Sequence, residues 1–313
     1  MLRAEDVCLE LFFDWLAQNH SRHFQIKERS YLEPSGLSAL ASDGSYQLCL
    51  EVRHLLPPPE DEVWYSYRQQ LEKDIAVDLP GAYALWLPPG ADLPREPHQA
   101  MDFAQRVQAI AFKLEKGQRS YVPLPANLYL RKVRTEGNLM SVAGVLDKFW
   151  AKMSERVHGS YDLDSTTMHR LPEDEEHRRQ LFDRISEEAE KIQNTGQWVA
   201  IETIDAWTVQ RLKDGFGVAI IGVPPEAIAD MGNAVRRNLR RILVEVSQNL
   251  AEQTCDLRAL IILGPYPYIN QEGATTALRG YDPTIYSSLD FICLASDGQI
   301  KALKESPVLP WAR

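Results

Sequence analysis

The stretch DGSYQLCLEVRHLLPPP, Asp43 to Pro59, decides how the first half of this chain is read. Asp43-Gly44 between two alternating segments is a strong hairpin signal. Glycine supplies the unusual φ of a tight turn, and aspartate supplies a short side-chain acceptor. After the turn, Tyr46, Leu48, Leu50 and Val52 face one way, while Gln47, Cys49, Glu51 and Arg53 face the other. Pro57, Pro58 and Pro59 end the strand, because proline donates no ladder hydrogen bond. Glu51 and Arg53 therefore project together. A glutamate so placed can offer hard oxygens to Mg²⁺, and a neighbouring cation can stabilise charge developing on a phosphate. A half-buried strand whose Glu51 and Arg53 are solvated, or paired with charges on neighbouring strands, shows the same alternation.

Outward from this hairpin the chain alternates helices and strands. Residues 3–19 read as an amphipathic helix, with Leu9, Phe12 and Leu16 on one face and Glu5 in line with them. HFQIKERSYL is strand-like and leads into the hairpin. A helix is expected over 60–76, a strand at GAYALWLPP, a helix over 98–116 and a strand at LYLRKVR. SVAGVLDKFWAKMSERV reads as helix, the polar run from His158 to Arg179 as mostly loop, and EEHRRQLFDRISEEAEKIQ as a charged amphipathic helix. Then QWVAIETI reads as strand, 207–214 as a short helix, FGVAIIGVPP as strand and 225–252 as a long helix. RALIILG, SLDFICLAS and QIKALKE are the last strands, the final two joined at Asp297-Gly298 as a second hairpin. GAYALWLPPGADL and GFGVAIIGVPPEAI share a pattern of glycine, apolar strand and double proline. Two instances read as the punctuation of strand-to-helix junctions, not as a repeat family.

Composition sets the limits. The 313 residues suffice for one large α/β domain or two modest ones, and 44% hydrophobic with 25% charged residues is ordinary for a folded protein. A formal net charge of −10 gives no global field that draws in nucleic acid, so such binding needs a local basic patch. Cys8, Cys49, Cys255 and Cys293 are widely spaced, without a zinc pattern, and read as reduced thiols of a cytoplasmic protein. The spacings of His158, His169 and His177 likewise fit no zinc site. No apolar run approaches the ~18 residues of a membrane span, so no membrane partner is expected. The sequence holds no G-x-S-x-G elbow, no Walker A loop and no G-x-G-x-x-G after a strand, which removes serine hydrolase, P-loop and Rossmann readings.

The segment PSGLSALASDGSYQLCLEVR, Pro34 to Arg53, has a helix before it and a helix and a strand after it. In this order it resembles the PD-(D/E)XK nuclease superfamily, whose core runs helix, strand hairpin, helix, strand. The resemblance covers about residues 1–90 and implies an α/β fold, a mixed sheet flanked by helices, with a restriction-endonuclease-like core in the N-terminal half. It further implies Mg²⁺ held by Asp43 and Glu51, with Glu5 as a third carboxylate, Arg53 steadying the attacked phosphate, and hydrolysis of DNA or RNA. Ser35 stands where the family's aspartate follows the proline, and Arg53 stands for its lysine. Arginine stays protonated and cannot serve as a general base. The chain thus resembles a degenerate member, and the alternative function is a non-catalytic module that keeps the fold and binds protein or nucleic acid. Glu5 also has a plainer role, since a carboxylate in the first turn favours the helix dipole.

Three sections result: a nuclease-like core over 1–135, a helical and loop connection over 136–195, and a C-terminal α/β section over 196–313. The last either extends the first sheet or forms a second lobe, and the helical middle favours the lobe. Arg236, Arg237, Arg240 and Arg241 form a stripe at i, i+4 spacing on the long helix, suited to phosphates or an acidic partner, or else a solvated helix face. The loop GPYPYINQEGATTALRGYDPTIYSSLDFI follows a strand and carries four tyrosines that can stack on bases or pack the loop itself.

Overall fold

In chain order the elements are α1 (Ala4–His20), β1 (Gln25–Tyr31), β2 (Leu37–Ser42), β3 (Gln47–His54), α2 (Glu62–Ala76), β4 (Ala82–Trp86) and α3 (Pro97–Ala111). There follow β5 (Arg119–Arg134), β6 (Asn138–Gly144), α4 (Trp150–Ser154), β7 (Gly159–Ser165), α5 (Glu175–Lys191) and β8 (Trp198–Arg211). The chain ends with β9 (Gly217–Ile221), α6 (Met231–Ala251), β10 (Leu257–Leu263), β11 (Phe291–Ser296) and β12 (Gln299–Glu305). The computed structural model describes residues 2–32, 36–55, 62–172, 174–228, 231–264 and 278–311, and of 228 and 231–234 the backbone alone. Pro34, Ser35 and the three prolines 57–59 lie outside the described residues. Among those described, no helix is long and apolar enough to cross a membrane.

The fold is α/β, with two mixed six-stranded sheets flanked by helices, in the orders β1-β2-β3-β10-β11-β12 and β6-β7-β5-β8-β4-β9. By its contacts the chain divides into two units, residues 1–120 with 208–313, and residues 121–207. The divisions expected at 135/136 and 195/196 lie just past β5 and in the turn before β8.

In the first unit, β1, β2 and β3 form an antiparallel meander, and β3 then pairs with β10 in parallel, from Leu48–Leu257 to His54–Leu263. β11 lies parallel to β10, and β12 returns antiparallel. The C-terminal strands therefore extend the first hairpin's sheet, where the sequence favoured a second lobe. The strand after α2, expected to continue the first sheet, instead sits in the other one, beside β8 and β9.

Burial on both faces accounts for the run LRALIIL in β10. Leu257, Ala259 and Ile261 pack in one core with Leu48, Leu50 and Val52 of β3 and with Leu9, Phe12 and Leu16 of α1. Leu260 and Ile262 pack on the other face with Cys49 and with Leu239, Leu243 and Val246 of α6. Helices α1 and α6 thus cover opposite faces of this sheet. Ala84 and Trp86 of β4 and Ala219 and Ile221 of β9 join the α1 core. The two double-proline strands are parallel neighbours, Ala82 opposite Gly217.

Both Asp-Gly signals form turns. Asp43 Oδ1 accepts the Ser45 and Tyr46 N–H groups at 2.9 and 2.8 Å. Asp297 and Gly298 have φ of 52° and 72°, the left-handed pair that a two-residue hairpin turn needs.

In the second unit, Leu128 and Leu130 of β5, Tyr161 and Leu163 of β7, and Leu181, Phe182 and Ile185 of α5 share one core. Here the sequence reading is corrected twice. Residues 141–144, read as helix, belong to β6, and the polar run from His158 contains β7, whose Tyr161 and Leu163 alternate inward. A third correction falls on 207–211, read as helix, which continues β8. Thr208, Val209 and Gln210 are buried in succession, as in an interior strand, so no alternation marks them.

Replacing Leu260 by alanine is expected to cost about 2–5 kcal/mol in urea unfolding, because the site is buried on an interior strand. Ile26→Ala on the exposed edge strand β1 should stay within about 0.5 kcal/mol.

Candidate functional site

Glu51 points towards α6, as the alternation of β3 requires, but that face is covered. The residue is 2% exposed. Arg53 Nε donates to Glu51 Oε2 at 2.8 Å, with Arg53 Nη2 at 2.7 Å from the same oxygen. On the other oxygen, Asn249 Nδ2 of α6 donates to Oε1 at 3.3 Å. A buried carboxylate is tolerated when it is paired and hydrogen-bonded, and here both oxygens are engaged. A metal ion at Glu51 would have to displace the guanidinium or the amide.

The other expected ligands are not brought to Glu51. Asp43 holds the hairpin turn and accepts from Arg22 Nη1 at 3.2 Å. The turn hydrogen bonds keep its carboxyl below the ordinary range against a burial effect that raises it. The register sets Ser42 opposite Gln47 and Ser38 opposite Glu51. Glu51 thus stands four residues further along β3 than Gln47, roughly 13 Å at ~3.3 Å per residue. Two ligands of one Mg²⁺ stand within about 4–5 Å of each other. Glu5 is on α1, across the sheet, where His54 Nε2 lies 2.9 Å from its Oε1. Among the described residues no group of three or more His, Cys, Asp or Glu side chains could hold a metal ion.

The arginine stripe is gathered. Arg236, Arg237, Arg240 and Arg241 are all exposed and line an open groove of about 820 Å³ between α6 and the segment from Gly280 to Ile285. Tyr281 shapes its wall, its hydroxyl donating to the Arg236 carbonyl at 2.6 Å. Arg236 Nη2 donates to the Arg279 carbonyl at 3.3 Å. Arg241 has Glu245 at a long 3.9 Å, while Arg237 and Arg240 have no acidic partner among the described residues. Asp282 also lines the groove, and its carboxylate caps the turn at Thr284. Two of the four loop tyrosines, Tyr266 and Tyr268, lie outside the described residues; Tyr286 packs beside the α6 core.

Sequence reasoning missed Asn249 and His54, the residues that engage Glu51 and Glu5. Asn249 is on the same helix as the arginines, but nothing local places that helix over β3. His54 does carry a signal, since it follows Val52 by two on the α1 face of the strand.

Burial alone would raise the Glu5 carboxyl, yet the hydrogen bond and charge of His54 hold it below its ordinary 4.5. A depressed carboxyl stabilises the fold above its unfolded value, and this stabilisation is lost as pH falls through the folded value. In His54→Ala burial is opposed only by the backbone hydrogen bond at Glu5 and by Arg3, so ionised Glu5 is less well compensated at neutral pH and protonation relieves part of the cost. The expected cost is about 1.5–3 kcal/mol at pH 7, shrinking below the ordinary value of 4.5. Urea unfolding across pH 3.5–7 checks this.

Compared with protein-family models, with curated proteins and with solved structures, the chain matches none of them.

Proposed function

We propose that this protein is a non-catalytic nucleic-acid-binding module on a nuclease-like sheet, and that the α6 groove holds a single-stranded phosphodiester backbone. The observation that carries this reading is the row of exposed arginines along that groove, two without an acidic partner among the described residues, in a chain of net charge −10. A patch of this sign has to be local if the chain is to meet a polyanion at all. Arginine suits phosphate through its planar fork of donors, and an aromatic wall such as Tyr281 suits the face of an unstacked base.

What supports a nuclease-like sheet is spatial and not the order along the chain: α1 and α6 cover the two faces of the sheet in which β1, β2 and β3 pair with β10. The helix and strand nearest in sequence, α2 and β4, belong elsewhere. Non-catalysis is favoured by Glu51, which Arg53 and Asn249 engage, and by the distance of Asp43 and Glu5 from it. Hydrolysis with Mg²⁺ would require Glu51 to leave both partners and to find a second carboxylate.

Fluorescence anisotropy with labelled single-stranded DNA and RNA tests the reading. Four phosphate contacts predict a log–log salt slope near −3, from about 0.7 per contact on a single strand. Arg237→Glu with Arg240→Glu should weaken binding at least tenfold, and the oligonucleotide should remain intact with Mg²⁺ or Mn²⁺. Salt-independent binding, or preference for an acidic peptide of equal charge, would contradict the nucleic-acid reading. Metal-dependent cleavage lost in Glu51→Gln would contradict the non-catalytic one.

A further inference from the structure

At the C-terminal ends of β3, β4, β9, β10 and β11 the first unit leaves a small cavity of about 70 Å³. Its lining includes His54, Trp86, Ile221, Leu263 and Asp297 from those strand ends, and Arg68 from α2. The carboxyl ends of parallel strands are where α/β sheets receive ligands, because the chain diverges there and leaves a crevice. Gly222 helps to shape the wall: a Cβ there would stand 2.7 Å from Cβ of Leu87, so β9 can leave the sheet against Leu87 only without one.

The walls are mainly apolar, through Leu87, Pro88, Ile221, Val223 and Leu263. The polar groups are unevenly satisfied. Trp86 is 4% exposed, and its indole N–H has no hydrogen-bond partner among the described residues. Arg68 Nε is likewise buried without a hydrogen bond. The nearest carboxylate, Glu72, is 3.5 Å from Arg68 Nε, and its Oε1 already accepts the Ile220 N–H at 2.8 Å. The acids nearby are engaged. The Asp297 carboxylate accepts from Thr208 Oγ1, with Arg119 at 3.9 Å, and Glu5 is held by His54. What remains unmet is therefore the donor capacity of two buried N–H groups beside an apolar wall, one of them on an arginine whose nearest carboxylate is already shared. An unmet buried donor is costly, and a ligand acceptor removes that cost.

We propose that this cavity binds a small apolar carboxylate, its anionic end taken by Arg68 and the Trp86 indole N–H and its hydrocarbon body lying against Leu87, Ile221 and Leu263. At about 10–15 Å³ for each water-sized position, the space suits roughly five to seven non-hydrogen atoms. The site is separate from the α6 groove, and its occupancy does not depend on nucleic-acid binding.

The test uses the full chain labelled with ¹⁵N, with isovalerate as the probe and isoamyl alcohol as its uncharged counterpart. Trp86→Phe identifies the Trp86 indole resonance by its loss. Isovalerate is expected to shift that resonance saturably at millimolar concentration, and isoamyl alcohol to bind more weakly. Arg68→Gln should weaken isovalerate about tenfold, the scale of one charge-assisted hydrogen bond. Calorimetry on Trp86→Phe, which keeps the apolar wall, should show a weaker affinity as well. No saturable shift at Trp86, or an affinity that is the same for the alcohol and for both variants, would overturn the proposal.

Discussion

The parallel ladder between β3 and β10 is the constraint on which the first unit depends. Leu48 to His54 pair with Leu257 to Leu263, so two segments some two hundred residues apart share one set of hydrogen bonds. A parallel pair always needs a crossover, but this one includes a second sheet and several helices. Its length is thermodynamically modest, since closing a loop costs only about 0.6 kcal/mol more for each doubling of length. The intervening chain also folds onto cores of its own, as Leu130, Leu163 and Ile185 do in the second unit. With β10 in place, α6 lies over one face and α1 over the other, and the strand ends bounding the cavity are aligned.

Covering the α6 face changes what Glu51 is. On an open sheet, Glu51 and Arg53 would be a solvated pair or a metal site. Beneath α6 the carboxylate is 2% exposed and its negative charge is met by the adjacent guanidinium. Buried ion pairs seldom add much net stability, but losing one member leaves an uncompensated charge. The pair is tied to α6 by the Asn249 hydrogen bond, beside the apolar contacts that α6 makes with the sheet. Arg237 and Arg240, which have no acidic partner among the described residues, lie on the exposed part of α6.

Local signals in the sequence were sufficient for most elements. Both Asp-Gly turns, the alternation in β3 and the i, i+4 runs of α1 and α5 each depend on neighbours within a few residues. Sheet membership was not legible. GAYALWLPP has the same local character whether it pairs with β3 or with β9, and only long-range packing selects the latter. The strands that were missed explain themselves. Tyr161 and Leu163 alternate with aspartates and serines that resemble loop composition, and Thr208 to Gln210 are buried without alternation. At the candidate site the sequence revealed which residues share a face of β3. What covers that face is Asn249, 198 residues away in the chain, and no local pattern encodes it.

The central claim is that Glu51 is a structural carboxylate held by Arg53 and Asn249. Crystals soaked in Mn²⁺ and measured at its absorption edge test it directly, because an anomalous difference map locates the metal without assumptions about activity. The expected map has no peak at Glu51, with both of its partners in place. A peak at about 2.1–2.2 Å from a Glu51 oxygen, with Arg53 swung aside, would contradict it.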